Sequence, residues 1–372
     1  MHVLAVVLAW PPTAIGGPIA SAELLKELAS RGHEVTVLSR CEKRADLEPD
    51  SRGALCRSVD GVTIMSTRGW RFSTKHAIKD VDVVYAHPDL SNNNVRPLGW
   101  DVARSVKAPL VYALHNMKRS THIMARQWPS NLFVWNSEAT RAFSEVPRSA
   151  GVVVRPRLRV ADHTTAHRGS GDAVTLINVS HDKGADVFFA LAKRFPKTQF
   201  IGVRGGYNPQ TSIDLPNVEI CGPYKREELP EKVWSRTKVL LMPSRIEAWG
   251  MSALEAACSG IPTIGSPAIG LVEALGQSGM FVDVDDIDGW ETALRSLLSS
   301  PARYISASAN AFVRATAVEQ QTAVDLVELD RALRAVSKQN APDTRMFSER
   351  SWAPSVNTMM SACDANALMG RG

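Results

Sequence analysis

Short apolar runs alternate with helical stretches along this chain, and the series occurs twice. The first run, Val3–Ala9, is unbroken and is followed by Pro11-Pro12 and Gly16-Gly17. A continuous apolar run of that length marks a strand covered on both faces, the state of a strand inside a parallel sheet. Ser21–Ser30 follows with Leu24, Leu25 and Leu28 on one helical face, Arg31-Gly32 ends it, and Val35–Leu38 reads as the next strand. Val62–Met65, Val81–Tyr85, Leu110–Leu114 and Leu132–Trp135 continue the series. A second series opens with the strand Ala173–Val179 and the helix Ala185–Arg194. Its further strands are Gln199–Val203, Val218–Cys221, Val239–Met242 and Pro262–Gly265, and its further helices Met251–Ser259, Leu271–Leu275 and Gly289–Ser299. Alternation sustained in this way predicts an α/β protein with parallel sheets. The stretch Arg157–Asp172, with its arginines, histidines and Gly169-Ser170-Gly171, breaks the pattern and reads as an interdomain linker. The expected organisation is a first domain over 1–160 and a second over 161–340 that ends in the helical stretch Ala302–Lys338. The polar tail 341–372 is then partly disordered or packed back on the first domain. A chain of 372 residues is long enough for two full cores.

Several function classes fall away on composition. No segment reaches the roughly 20 apolar residues of a membrane span, and the opening run, short and without a basic start, reads as a buried strand rather than a signal peptide. The five cysteines are odd in number and show no C-x-x-C spacing, so neither a disulfide framework nor a zinc site is expected. Reduced thiols point to a cytoplasmic chain, free or peripheral to a membrane. Charge is uneven: residues 1–170 carry 23 Lys and Arg against 15 Asp and Glu, whereas residues 171–372 carry 20 against 23. A basic first half suits an anionic partner and equally suits a solvated surface with no partner.

The segment richest in chemistry is Pro243-Ser244-Arg245-Ile246-Glu247-Ala248-Trp249-Gly250-Met251-Ser252-Ala253-Leu254-Glu255-Ala256. It places Glu247 in the loop after a strand and Glu255 about two helical turns further on, at the carboxyl edge of a sheet where ligands of such folds bind. Carboxylates accept hydrogen bonds from sugar hydroxyls, phosphates favour helix starts, and Gly250 lets the backbone approach a ligand. Spacing alone leaves two surface glutamates equally open.

This segment resembles the E-x7-E signature of retaining glycosyltransferase family 4, in the setting P-S-x-x-E-x-[FWY]-G-x-x-x-x-E-A. The likeness continues through Gly260-Ile261-Pro262-Thr263 and Gly270-Leu271-Val272-Glu273. The resemblance implies two Rossmann-like parallel-sheet domains facing across a cleft (the GT-B fold), with the acceptor on the first and a nucleotide-sugar donor on the second. No catalytic metal and no cofactor beyond the donor are implied. It assigns Glu247 to the donor sugar and Glu255 to the ribose, with Trp249, Gly250 and Met251 beside them and the backbone of Ala268–Leu271 at the sugar or diphosphate. Val179-Ser180-His181-Asp182-Lys183-Gly184 resembles the family's G-R-x-x-x-x-K-G diphosphate site. Lys183 matches, Ser180 lies within the site, and Asn178-Val179-Ser180 stands where Gly-Arg is expected. Arg204, after the next strand, is the candidate replacement cation. Gly16 and Gly17 resemble the glycine-rich loop by which the first domain approaches donor and acceptor. His115 resembles a histidine that reaches the crevice near the sugar.

Other motifs read as structural. Arg31-Gly32-His33-Glu34-Val35-Thr36-Val37 resembles the family's R-G-H-x-V-x-V, and His33 is expected to cap or pack. Ser137 is expected as a helix N-cap, and Asp283-Val284-Asp285 as a turn and cap rather than a metal site. UDP- and GDP-hexoses are the common donors of such a family, transferred with retention of configuration. The acceptor is left open between an anionic lipid, a polysaccharide or other glycan, and nucleic acid bearing a hydroxymethylated base, for which Trp70, Arg71, Lys75, Lys118, Arg119, Arg126 and Trp128 are candidate contacts. Two rivals stand beside this reading: a nucleotide-sugar-binding protein that has lost catalysis, and an epimerase or phosphorylase on the same plan.

Overall fold

In the computed structural model the opening run becomes β1 (His2–Val7), every residue of it buried. The residues described are 1–342, except 12–15, 41–45, 50–54, 67–77, 89–90, 93–95, 167–168, 170 and 207. β1 lies inside a nine-stranded sheet. On one side it pairs in parallel with β2 (Glu34–Ser39), which pairs with β5 (Val62–Ser66). An antiparallel edge of β4 (Leu55–Val59) and β3 (Glu48–Pro49) completes that side. On the other side come β6 (Val83–Ala86), β9 (Leu110–Leu114), β10 (Leu132–Trp135) and β11 (Gly151–Val153), all parallel. A separate two-stranded pair, β7 (Ser91–Asn92) and β8 (Arg96–Pro97), precedes a helix at Leu98–Val106.

The second sheet has six strands, all parallel, in the order β14-β13-β12-β15-β16-β17. These are β12 (Ala173–Ile177), β13 (Phe200–Val203), β14 (Val218–Cys221), β15 (Thr237–Met242), β16 (Thr263–Gly265) and β17 (Met280–Phe281). Counted within the domain this is 3-2-1-4-5-6, the doubly wound order whose switch point, between the first and fourth strands, opens a crevice at the carboxyl ends. That crevice lies between the loops after β12 and β15. The first sheet reverses in the same way between β1 and β6.

Helices cover both sheets. α1 (Gly16–Ser30) buries Leu24, Leu25 and Leu28 against β1 and its neighbours. It begins five residues before the expected start, so Gly16 and Gly17 form its first turn instead of a free loop. The rest of that expected loop, residues 12–15, lies outside the described residues. No helix among the described residues is long and apolar enough to cross a membrane. Cys56, Cys221 and Cys258 are not in disulfides, and burial pushes the Cys258 thiol up to about 12.

The two domains are tied by more than a linker. Residues 301–336 form one helix, α2 (Pro301–Val336), that starts on the second domain and ends in the first-domain core, where Leu326, Leu329, Leu333 and Val336 pack with β1 and α1. The last turns of a segment expected as part of the second domain thus pack in the first core, while Ala311, Ala315 and Val318 pack with the second domain. His33 packs there as well, with Nε2 2.6 Å from Asp330 Oδ1 on this helix. The expected linker Arg157–Asp172 is docked over its described first part: Val160–His163 is a helical turn, Val160 N donates to Glu319 and Thr165 N donates to Ser259 Oγ. Of the tail, Ala341 and Pro342 are described, and Arg104 donates to Pro342 O at 3.4 Å; residues 343–372 lie outside the described set.

Leu329, fully buried in the first-domain core, supplies the test of this arrangement. Leu329→Ala is expected to cost about 2–5 kcal/mol, as other buried leucines do. Hydrogen exchange should show the loss in the peptides of β1 and β2, three hundred residues away in sequence, rather than in those of β12–β15.

Candidate active site

At the switch point of the second sheet the backbone turns sharply after β12. Asn178 takes φ 66° and Gly184 takes φ 80°. Gly184 also meets the loop after β15 so closely that a Cβ would lie 2.4 Å from Pro243 Cγ, which no other residue could accommodate. Arg245 N donates to Asp182 O at 3.1 Å, pinning the two loops together. This contact carries Lys183 to Glu247: Nζ donates to Oε2 at 2.6 Å, with both side chains largely buried. The Glu247 loop is braced from the far side by Gly270, where a Cβ would stand 2.3 Å from Glu247 O. Gly250 (φ 90°) then turns the chain into the helix Met251–Cys258. Inside that helix Glu255 is 4% exposed, and its Oε1 accepts from Arg226 Nε at 2.8 Å. A carboxylate so buried requires a cation. Arg226 was not among the expected residues, although its position a few residues past the end of β14, at the same edge, is a signal that would have found it.

Two buried hydroxyls, Ser180 Oγ and Ser244 Oγ, have no hydrogen-bond partner among the described residues, and buried polar groups left so are uncommon. Ser244, Arg245, Ser266, Ala268, Asp283 and Asp285 line a cavity of about 490 Å³ beside the Glu247 loop. Asp283 Oδ1 accepts from Asp285 N in a turn, and the neighbouring Asp286 caps the next helix through Gly289 N.

Arg204 is exposed at the end of β13 and its N–H donates to Cys221 O. The space between the ends of β12 and β13 is filled instead by neutral amides. Asn178 Oδ1 accepts from Gln210 Nε2 at 2.8 Å, and Gly205 packs directly on the Asn178 side chain. Trp249, expected at the donor, is 2% exposed and packs with Leu158, Leu254, Ala311 and Ala315 beneath the long helix.

The first domain meets this edge with its own switch point. The position a Cβ would take on Gly16 is 3.9 Å from Met251 Sδ, and that on Gly17 is 3.8 Å from His115 Cβ. Gly16, Gly17, Met251 and His115 therefore come together across the domains. His115 Nε2 lies 3.3 Å from Ser21 Oγ and 3.2 Å from Tyr85 OH, and Ser21 Oγ lies 2.8 Å from His87 Nε2. Ser21, Tyr85 and His87 were missed in the sequence. Burial, with the His87 ring 5.0 Å away as a lesser cause, lowers the His115 pKa to about 3. Ser137 is the expected N-cap, accepting from Thr140 N. Of the candidate nucleic-acid contacts, Trp70, Arg71 and Lys75 lie outside the described residues. Trp128 packs edge-on to Trp100 and Arg126 pairs with Glu145, while Lys118 and Arg119 are exposed.

Burial also lowers His122 and His163. In the fold these imidazoles take up a proton at lower pH than in the unfolded chain, where they charge near pH 6.5, so below that pH the unfolded chain binds more protons. Stability is therefore full above about pH 6.5 and falls as pH drops, by about 1.4 kcal/mol per pH unit for each such proton; for His115 the loss continues toward pH 3. Urea unfolding at pH 7 and pH 5 checks this. His115→Asn should flatten the dependence, and an unchanged slope would show that His115 titrates normally.

Comparison with known proteins agrees with this geometry. Residues 176–300 match the family described as Glycosyl transferases group 1. The chain is 26% identical to a glycogen synthase of Mycobacterium tuberculosis, over 81% of this chain and 87% of that one. It is 25% identical to a D-inositol 3-phosphate glycosyltransferase of Mycolicibacterium smegmatis, over 76% and 79%. Among solved structures it superposes on sucrose-phosphate synthase from Thermosynechococcus elongatus with a TM-score of 0.73 at 16% identity, covering 90% of this chain and 100% of that one. It also superposes on Anabaena HepE in complex with UDP-glucose with a TM-score of 0.68 at 17% identity, covering 88% and 100%. The chain thus has the GT-B fold of two facing parallel-sheet domains, and residues 176–300 of its second domain are similar to the Glycosyl transferases group 1 family.

Proposed function

We propose that this protein is a retaining glycosyltransferase that moves a hexose from a UDP- or GDP-sugar to an acceptor hydroxyl. The observation that carries the reading is the Lys183–Glu247 contact, 2.6 Å long, at the switch point of the donor-side sheet. Glu247 would accept hydrogen bonds from the donor sugar, and Lys183 would meet the diphosphate as negative charge grows on it. Glu255 would take the ribose hydroxyls. Arg204 is proposed as a second cation, able to reach the diphosphate from its exposed position. The leaving phosphate takes the acceptor proton as attack proceeds on the same face, so the reading calls on no metal. His115, neutral at working pH, is suited to hydrogen bonding at the sugar rather than to carrying charge. Closure of the domains would keep water from the donor. A UDP-sugar is favoured by the similarity to HepE, which was solved with UDP-glucose.

The acceptor is proposed to be anionic. The basic first half supports this, as does similarity to enzymes named for inositol 3-phosphate. A lipid, a glycan and modified DNA are separated by mass spectrometry of the products, and DNA binding would weaken steeply with salt. The neutral Asn178–Gln210 pair where a cation was expected favours one second reading, a donor-binding protein without turnover.

A thermal-shift panel of UDP-, GDP- and ADP-sugars tests the donor. A ligand at 100 times its dissociation constant stabilises by about 2.7 kcal/mol. Glu247→Ala and Lys183→Ala should each lower turnover roughly 100-fold or more, while Arg204→Ala should weaken donor binding. Full turnover in Glu247→Ala would sink the assignment, and donor binding without transfer or hydrolysis in the wild type would favour the second reading.

A further inference from the structure

Glu273 closes the Gly270-Leu271-Val272-Glu273 stretch that the resemblance ties to the donor, yet its carboxylate is engaged by the other domain. Oε1 accepts from Glu138 N at 3.0 Å and Oε2 from Ala139 N at 2.8 Å. These are the first amides of the first-domain helix Glu138–Phe143, which have no partner within a helix. Arg155, on the crossing segment after β11, reaches Glu273 Oε1 at 3.4 Å and Asp325 Oδ2 on the long helix at 3.0 Å. Its guanidinium lies 5.7 Å from the Trp249 ring centroid. Arg314 donates to Glu273 O and Ala274 O at 2.8 and 2.7 Å, holding the main chain of the same residue from the long helix. Alongside, Ser137 Oγ donates to Ala248 O at 2.7 Å, on the residue that follows Glu247.

An exposed ion pair between domains would contribute little. This contact is of another kind. Glu273 and Arg155 side chains are 20% and 18% exposed and Asp325 6%, and the carboxylate takes two charge-assisted bonds from adjacent amides, which fix direction as well as distance. Interdomain interfaces within a chain are mobile unless large and apolar. A directional lock one residue from the Ala248 bond therefore decides how the acceptor side sits over the donor side.

We propose that Glu273 is a positioning residue that sets the register of the two domains, bringing Gly17 and His115 to the Glu247 loop at the spacing transfer requires. Its effect on turnover rests on the glycosyltransferase reading, whereas its effect on domain register does not. A misplacement of about 1 Å at a reacting centre can lower rate about 100-fold. Donor affinity should be spared, because Lys183, Glu247, Glu255 and Arg226 all belong to the second domain.

The experiment compares wild type, Glu273→Ala and Glu273→Gln as full chains. Hydrogen exchange is followed in the peptide spanning 137–143, small-angle scattering in the presence of UDP, UDP affinity by calorimetry, and kcat and KM with UDP-glucose. The expected result for Glu273→Ala is faster exchange at Glu138 and Ala139, a larger radius of gyration, and kcat at least tenfold lower with the UDP dissociation constant within twofold. Glu273→Gln, which keeps one acceptor oxygen, should fall between and serves if the alanine variant does not fold. Unchanged exchange and radius in the variants overturn the proposal, as does a loss of UDP affinity equal to the loss of kcat. If wild type neither binds UDP nor turns over UDP-glucose, the functional reading fails, and exchange and scattering alone decide the role of Glu273.

Discussion

Everything at the candidate site depends on two loops leaving the sheet side by side at the point where its strand order reverses. β12 and β15 are parallel neighbours, but their helices pass to opposite faces, so the chain after each must diverge and leave a crevice. Gly184 against Pro243 closes the base of that crevice to backbone contact. Lys183 and Glu247, 64 residues apart, are thereby held within one hydrogen bond of each other. Burial then makes each necessary to the other, because an isolated charge there would be unstable.

The same logic recurs in the first sheet, and it explains why the sites of the two domains face each other. β1 and β6 diverge at their own reversal point, and the residues that follow them, Gly16, Gly17, Ser21 and His87, gather with His115 from the end of β9. The long helix that begins on one domain and ends in the core of the other limits how far these edges separate. The crossing arginines add direction: Arg155 is shared between Glu273 and Asp325, and Arg157 reaches Thr322 on the same helix. The two-domain plan is thus held by a covalent crossing, a helix with a foot in each core, and a small set of oriented polar contacts.

Much of this was legible before any coordinates. Leu110–Leu114, Leu132–Trp135, Ala185–Arg194 and Val218–Cys221 emerge at the boundaries read from apolar periodicity, because buried parallel strands and amphipathic helices leave strong local patterns. The antiparallel strand Leu55–Val59 went unread, since it is half-buried and its outer neighbour is only the two-residue β3, so packing imposes no continuous apolar run. Trp249 looked like a ligand contact because it sits between two motif residues, but burial of its ring under the long helix depends on contacts about 60 residues downstream. Arg226 carried only a positional signal, its place just past the end of β14, and His87 carried no spacing of its own, so both were passed over.

The amino-acid order by itself determined the two parallel-sheet units, the loop position of Glu247, the helical position of Glu255 and the glycines that let loops touch. These are consequences of local periodicity and local sterics, which act within a few residues. Only the tertiary structure decided which charge meets which: Lys183 with Glu247, Arg226 with Glu255, and Glu273 with the amides of the opposite domain. Such pairings are set by strand order and by the crossing of the chain between domains, and long-range topology of that kind leaves no trace in the spacing of residues along a sequence.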